Sequence, residues 1–169
     1  QDAGANAVMA SYNAWNGTPM HLHPVLRDVL IGQWGVEVIS SDGGGVQNLW
    51  EDHKVVPDQK AAVVAALKAG INQYLDRALQ ELPAALKEGL VTEADLDEAV
   101  RRKFRVSLKL GLLDPPEIVP YARPHDGPAP WASPEHLAIS KTMALESIVL
   151  LKNDGGALPL RKGALKSVA

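Results

Sequence analysis

Asp42 stands where an apolar segment gives way to a glycine-rich loop. Val36, Val38 and Ile39 favour an extended chain because they are β-branched, and three consecutive glycines, 43–45, follow the aspartate at once. Glycines leave the backbone open to a ligand, so this pattern suits a carboxylate that attacks a bound substrate. An aspartate that opens an ordinary glycine turn would give the same pattern, so the neighbouring elements must distinguish a nucleophile from a turn residue.

A second strand-to-loop passage lies about thirty residues upstream. Residues 8–13 are mostly apolar and run into the turn at residues 16–19, and residues 24–33 have the spacing of a short amphipathic helix. The order strand, helix, strand predicts a parallel pair whose carboxyl ends share one edge. We therefore expect Tyr12 and Asp42 to be neighbours.

Several segments resemble one family of enzymes. The stretch MASYNAWNGTPM, followed by WGVEVISSDGGGV, is similar to the "SYN, NG, P, then WGF and VSD" signature of glycoside hydrolase family 3, which includes β-glucosidases and β-xylosidases. Downstream, KAGINQYL, VRRKFRVSLKLGLLDPP and ALESIVLLKNDGGALPL also resemble family segments, so the likeness covers nearly all 169 residues.

The resemblance implies a retaining hydrolase of terminal β-linked sugars in which Asp42 is the nucleophile. The proton donor of such an enzyme stands about 5–5.5 Å from the nucleophile, and in this family it commonly comes from the following domain, so we expect it outside this chain. The resemblance implies that Tyr12 and Met9 line the sugar pocket beside Asp42. Met9 could equally be a core residue on its strand.

The resemblance also implies the fold. We expect an α/β protein made of the C-terminal part of a (β/α)8 TIM-type barrel (residues 1–114), a proline-rich linker (115–133) and the start of an α/β sandwich domain (134–169). The chain reads as a piece of a longer protein, and we expect these residues alone to be inactive and prone to aggregate because a partial barrel has open sheet edges.

Three departures from the family pattern leave the sugar preference open. Gly43 replaces the aromatic residue or cysteine that often follows the nucleophile, Asn72 replaces an acid, and the spacing from Gly35 to Asp42 is one residue short. Without an aromatic side chain at position 43, the flat surface that would support the leaving group could come from Trp50 instead. Trp15 and Trp50 both suit stacking on a sugar ring, but packing within a loop would explain them equally well.

Other chemistries fit the residues less well. His21 and His23 form an H-x-H pair that could hold zinc with Asp42, but the pair leads into a helix. We favour hydrogen bonding in a loop or contact with the substrate, and expect no metal. His53, Glu51 and Asp52 are expected to be solvated. No phosphate-binding glycine motif or serine nucleophile motif is present, and no cofactor is expected.

Composition agrees with a globular chain, with 46% hydrophobic residues, 22% charged residues and a net charge of −3. The acidic balance argues against a nucleic-acid partner, and no apolar run approaches the ~20 residues of a membrane span. The absence of cysteine excludes disulfides without fixing the compartment, although the family resemblance favours the periplasm or secretion. Oligomeric state stays open. A noncatalytic carbohydrate-binding homologue remains an alternative to the hydrolase.

Local signals predict the remaining elements. They predict helices over residues 58–69, over 75–87 with a break at Pro83, and from Thr92 to a stop at Gly111. A further helix is predicted after Ser133. Short strands are predicted at residues 71–73 and 148–151.

Overall fold

A computed structural model describes residues 4–120, 122, 129–161, 163, 165 and 167 of the chain. These belong to two compact units, residues 1–119 and 120–169. The strands and helices are β1 (Ala7–Met9), β2 (Ala14–Trp15), β3 (Thr18–Pro19), β4 (Val38–Ser40), α1 (Asn48–Glu51), α2 (Gln59–Ala69), α3 (Leu82–Lys87), α4 (Glu93–Lys109) and α5 (Pro134–Ser147).

The first unit is organised around a parallel pair of strands. Val8 of β1 lies opposite Ile39 of β4, and the connection between them passes through the β2–β3 hairpin and a helical segment. The predicted order of strand, helix and strand is confirmed. Residues 71–73 follow the same direction, but they contribute only an isolated parallel bridge between Gln73 and Ser40, so the strand predicted there is not formed.

The helical segment before β4 is a π-helix, Leu26–Ile31, within the amphipathic helix predicted at residues 24–33. The N–H of Gly32 donates to the carbonyl of Arg27, five residues back, at 2.9 Å. The spacing of apolar residues is compatible with both hydrogen-bonding patterns, so it predicted the helix but not its type.

Two of the predicted helices begin and end where their capping residues indicate. The Asp58 carboxylate accepts from the N–H of Ala61 before α2, and Gly70 follows α2 with a φ of +107°. Thr92 and Asp95 form a capping box at the start of α4. The break predicted at Pro83 within residues 75–87 is confirmed: a 3-10 turn at Arg77–Gln80 precedes α3, which begins at Leu82 and has Pro83 in its first turn.

The main core lies between the strand pair and α2. Ile39, Leu49, Val63 and Ile71 are all fully buried and form one cluster. On the other side of α2, a smaller cluster of Leu67, Ala85 and Val91 packs against α4.

A buried arginine joins α4 to this core. Arg102 is 5% exposed, and its guanidinium donates to the carbonyls of Gly70 and Val36 at 3.4 and 3.5 Å. Glu98 lies 3.7 Å from Arg102 and also pairs with Arg27 at 3.0 Å. Part of the basic end of α4 is therefore committed to internal contacts.

In the second unit, α5 begins as predicted, because Ser133 accepts from the N–H of His136 and Pro134 occupies the first turn. The predicted strand at residues 148–151 is wrong. These residues are strongly exposed, and no described segment pairs with them, so the ladder hydrogen bonds of a strand do not form. Residues 121 and 123–128 of the predicted linker lie outside the described part. None of the described helices is long and apolar enough to cross a membrane.

Candidate active site

The carboxyl ends of β1 and β4 bring the two main predicted site residues together. Because the strands are parallel, the loops that follow Met9 and Ser40 leave the same edge. The hydroxyl of Tyr12 donates to the carbonyl of Gly43 at 2.7 Å, immediately after Asp42. The expectation that Tyr12 and Asp42 are neighbours is met.

Asp42 is held at the start of its loop by local hydrogen bonds. Its carboxylate oxygen Oδ1 accepts from the N–H of Gly43 at 2.7 Å, and its own N–H points at Nε2 of His21 at 3.4 Å. The residue as a whole is partly exposed. The Gly43 N–H therefore sets the direction of a carboxylate on a partly exposed residue.

The surroundings shift the pKa of two neighbouring groups. Partial loss of solvent raises the pKa of the Tyr12 phenol, and Asp42, as hydrogen-bond partner and negative charge, raises it further. Burial lowers the pKa of His21, while the charges of Asp76 and Asp42 partly oppose this effect. A neutral His21 ring can accept the N–H of Asp42, so the shift agrees with the hydrogen bond.

The two histidines of the H-x-H pair have different surroundings. His21 is 1% exposed and contacts the Asp42 loop. His23 accepts from the N–H of Val25 at 3.1 Å and stacks on Trp15, with ring centroids 4.7 Å apart. No group of three histidine, cysteine, aspartate or glutamate residues within the described residues could hold a metal ion.

The three glycines after Asp42 serve different purposes. A Cβ atom on Gly43 or Gly44 would meet nothing within 4 Å, which agrees with the expectation of an open approach. Gly44 also has a φ of +77°, which favours glycine. Gly45 is different, because a Cβ there would overlap the His21 ring. For Gly45 the expectation of an open approach is wrong.

Asp76 is a functional candidate that the sequence did not single out. One carboxylate oxygen accepts from the N–H of Gly44, and the other accepts from the N–H of Val46 at 3.2 Å and from the Ser41 hydroxyl at 3.4 Å. The buried Ser41 hydroxyl in turn accepts from the N–H of Leu75 at 2.9 Å. One signal could have revealed Asp76: it lies three residues past Gln73, which runs parallel to β4.

Asn72, which stands where the family pattern has an acid, is tied to the backbone. Its amide oxygen accepts from the N–H of Ile39 at 2.9 Å, and its amide nitrogen donates to the carbonyls of Glu37 and Ala99 at 2.9 and 3.2 Å. The carbonyl acceptors require a donor that a carboxylate lacks. The asparagine at position 72 therefore stabilises the fold through these backbone hydrogen bonds.

Trp50 lines a cleft of about 610 Å³ between the loop after β4 and residues 75–81. Its indole N–H donates to Gln59 at 2.8 Å, which fixes the ring. Gly44 and Asp76 line the same cleft. Trp50 also packs against the main core, and Asp42 is not among the residues that line the cleft, so stacking on a sugar and packing within the loop both stay predictions for this ring.

The remaining candidates lie around the same edge. Met9 is 59% exposed at the end of β1, and both interpretations of it, pocket lining and core packing, stay predictions. His53 was expected to be solvated, but its Nε2 lies 2.9 Å from the carbonyl of Tyr12. Glu51 and Asp52 are exposed, as expected.

Comparisons with known proteins all match the chain to glycoside hydrolases. Residues 2–106 match the family model described as the glycosyl hydrolase family 3 N-terminal domain. The chain is 36% identical to the Aspergillus terreus protein named "Probable exo-1,4-beta-xylosidase" and 36% identical to the periplasmic beta-glucosidase of Salmonella typhimurium, in both cases over 99% of this chain and 22% of the relative. The chain thus spans about a fifth of the length of these relatives.

Solved structures of β-glucosidases also match most of the chain. The beta-glucosidase of Listeria innocua in complex with glucose matches 94% of this chain and 22% of that chain, at 30% identity and a TM-score of 0.66. A beta-glucosidase of Erythrobacter marinus matches 96% and 22%, at 33% identity and a TM-score of 0.67.

Proposed function

Because the chain belongs to glycoside hydrolase family 3, we propose that the full-length protein containing it releases terminal sugars from β-glycosides through a glycosyl-enzyme on Asp42. The observation that carries the proposal is the position of Asp42, directed by the Gly43 N–H and next to Tyr12 at the carboxyl edge of two parallel strands. This is the edge at which (β/α)8 barrels carry their chemistry.

The proposed reaction has two steps. In the first, a carboxylate oxygen of Asp42 forms a bond to the anomeric carbon while the bond to the leaving oxygen breaks, and an acid outside this chain gives that oxygen its proton. In the second, water attacks the same carbon, returns a proton to that group and restores the Asp42 carboxylate. The anomeric configuration is retained, and no metal or cofactor takes part.

Three residues are proposed to contact the sugar. Met9 ends the neighbouring strand β1, Tyr12 lies in the loop after it and contacts Gly43, and Trp50 lines the adjoining cleft. The relatives are named for glucosidase and xylosidase activities, so we propose that the terminal sugar is β-linked glucose or xylose.

The test is covalent trapping on the full-length protein that contains this chain. It is incubated with 2-deoxy-2-fluoro-β-glucosyl and β-xylosyl fluorides, and labelled peptides are mapped by mass spectrometry. We expect a sugar on Asp42. Asp42→Asn should abolish labelling, whereas Asp52→Asn, which removes an exposed carboxylate ten residues away, should not.

The outcomes separate the alternatives. Turnover of β-glycosides with the label on another residue would reject Asp42 as the nucleophile. Neither turnover nor labelling with either sugar would instead favour the noncatalytic carbohydrate-binding homologue.

A further inference from the structure

The loop after Asp42 has few side chains of its own to hold it in place. Gly43 and Gly44 have open space where a side chain would be, and consecutive glycines lose more conformational freedom on ordering than other residues. Fixed partners outside the loop must therefore set the direction of its peptide groups. Asp76 is the partner that receives the most hydrogen bonds from residues 41–46 in the described part of the chain.

One peptide group in this loop is held from both ends. The carbonyl of Gly43 and the N–H of Gly44 belong to the same planar unit and point in opposite directions. The carbonyl accepts from the Tyr12 hydroxyl at 2.7 Å, and the N–H donates to the Asp76 carboxylate. Rotation of this unit would break both hydrogen bonds together.

The orientation of that peptide group affects Asp42 directly. The preceding peptide N–H, that of Gly43, donates to Oδ1 of Asp42 at 2.7 Å. If the 43–44 peptide turned, Gly43 would move and the Tyr12 hydroxyl would lose its acceptor. That hydroxyl, which is already a hydrogen-bond partner of Asp42, would then donate to the Asp42 carboxylate alone and reduce its nucleophilicity.

We propose that Asp76 is a positioning residue for the nucleophile: it holds the 43–44 peptide so that Tyr12 is engaged by Gly43 and Asp42 keeps its attacking direction. This inference rests on the proposed function. Asp76 does not act as the proton donor, because both of its oxygens already accept hydrogen bonds from the Asp42 loop.

The side chain of Asp76 suits this task because it is an acceptor at two points. The Ser41 hydroxyl and the N–H of Val46 meet one oxygen, and the N–H of Gly44 meets the other. An asparagine keeps one acceptor and presents an NH₂ group to the opposing donors. Asp76→Asn is therefore a nearly isosteric change that removes the acceptor on one of the two oxygens and so breaks the hydrogen bonds to that oxygen.

The experiment measures the bond-forming step on the full-length protein. Inactivation by the 2-deoxy-2-fluoro sugar that labels the wild type gives the rate constant of attack, and competition by the free product sugar gives binding. We expect Asp76→Asn to lower the inactivation rate constant by about 10- to 100-fold, the range expected for a small misplacement of a reacting group, with sugar affinity little changed. Preserved affinity also shows that the variant is folded.

Two further variants separate positioning from general stability. Glu88→Gln removes one of the two carboxylate oxygens to which Lys60 donates on the surface, at 2.8 and 2.7 Å, and should leave the inactivation rate unchanged. Asp76→Glu keeps a two-point acceptor and should recover part of the rate lost in Asp76→Asn. It also provides a second folded variant if the asparagine variant is unstable.

A double-variant cycle tests the shared peptide. Tyr12→Phe and Asp76→Asn each remove a hydrogen bond to the same peptide group, that between residues 43 and 44. The double variant should therefore be inactivated little more slowly than the slower single variant. Additive effects, or labelling of Asp76→Asn at the wild-type rate, would overturn the positioning role and leave the nucleophile assignment intact. Failure of the wild type to be labelled at Asp42 would overturn the proposed function and this inference with it.

Discussion

Gly45 gives a sharp test of how tightly the Asp42 loop is packed. A Cβ atom at this position would overlap the imidazole of His21 and lie 3.2 Å from the carbonyl of Asp42. His21 is 1% exposed and has little room to move. The substitution Gly45→Ala therefore forces either the ring or the loop to shift.

The magnitude follows from a comparison with a neighbouring glycine. Overpacking of a filled site typically costs about 1–3 kcal/mol, whereas glycine to alanine stabilises by up to about 1 kcal/mol through the unfolded chain. A Cβ on Gly43 meets nothing within 4 Å, so Gly43→Ala has the second effect without the first. We expect Gly45→Ala to be less stable than Gly43→Ala by about 1–3 kcal/mol.

Urea unfolding followed by tryptophan fluorescence measures this difference on the full-length protein. Both substitutions are repeated in a His21→Ala background, where the ring is gone and only the 3.2 Å approach to the Asp42 carbonyl remains. There we expect the difference between the two alanine variants to shrink. Equal stability in the wild-type background, or the same penalty without the ring, would refute the reasoning.

Two other substitutions test the contacts around the site. Asn72→Asp should lower the free energy of unfolding by about 2–4 kcal/mol, because it removes the donors to the carbonyls of Glu37 and Ala99 and sets a charge against them; an aspartate variant as stable as the parent in urea would contradict the scaffold role. Burial raises the pKa of Tyr74, so an unfolded chain ionises at about pH 10 while the folded chain keeps its proton. Stability contributed by Tyr74 below pH 10 is then lost as the pH rises, by about 1.4 kcal/mol per unit, until the folded phenol also ionises. Urea curves at pH 8 and 11 should therefore show a larger loss for the wild type than for Tyr74→Phe, and parallel losses would count against the burial effect.

Much of the scaffold was predictable because its signals are local. Thr92 with Asp95, and Asp58 with Gly70, marked helix ends that the structure reproduces. The parallel arrangement and the meeting of Tyr12 with the Asp42 loop followed from the order of elements. The α/β class and the family are likewise confirmed. The domain boundaries and the roles of the site residues stay predictions.

The errors concern contacts between residues far apart in the chain. Asp76 reaches Gly44 across 32 positions and His21 reaches Asp42 across 21, and no sequence pattern marks either pair. The strand expected at residues 148–151 had the right composition but has no described neighbour to pair with. Residue types predicted the secondary structure of these segments, whereas the structure that forms depends on which hydrogen-bond partners are present.

The contacts of Arg102 have a consequence for how the loops of the proposed site can change in sequence. Arg102 holds Val36, just before β4, and Gly70, just before the residues that run beside β4, while Asp42 and Asp76 come after those same segments. The guanidinium thus anchors the amino ends of these segments, and the proposed site residues occupy the opposite ends. Substitutions in the loops that carry Asp42 and Asp76 can therefore alter the proposed site without breaking the contacts of Arg102.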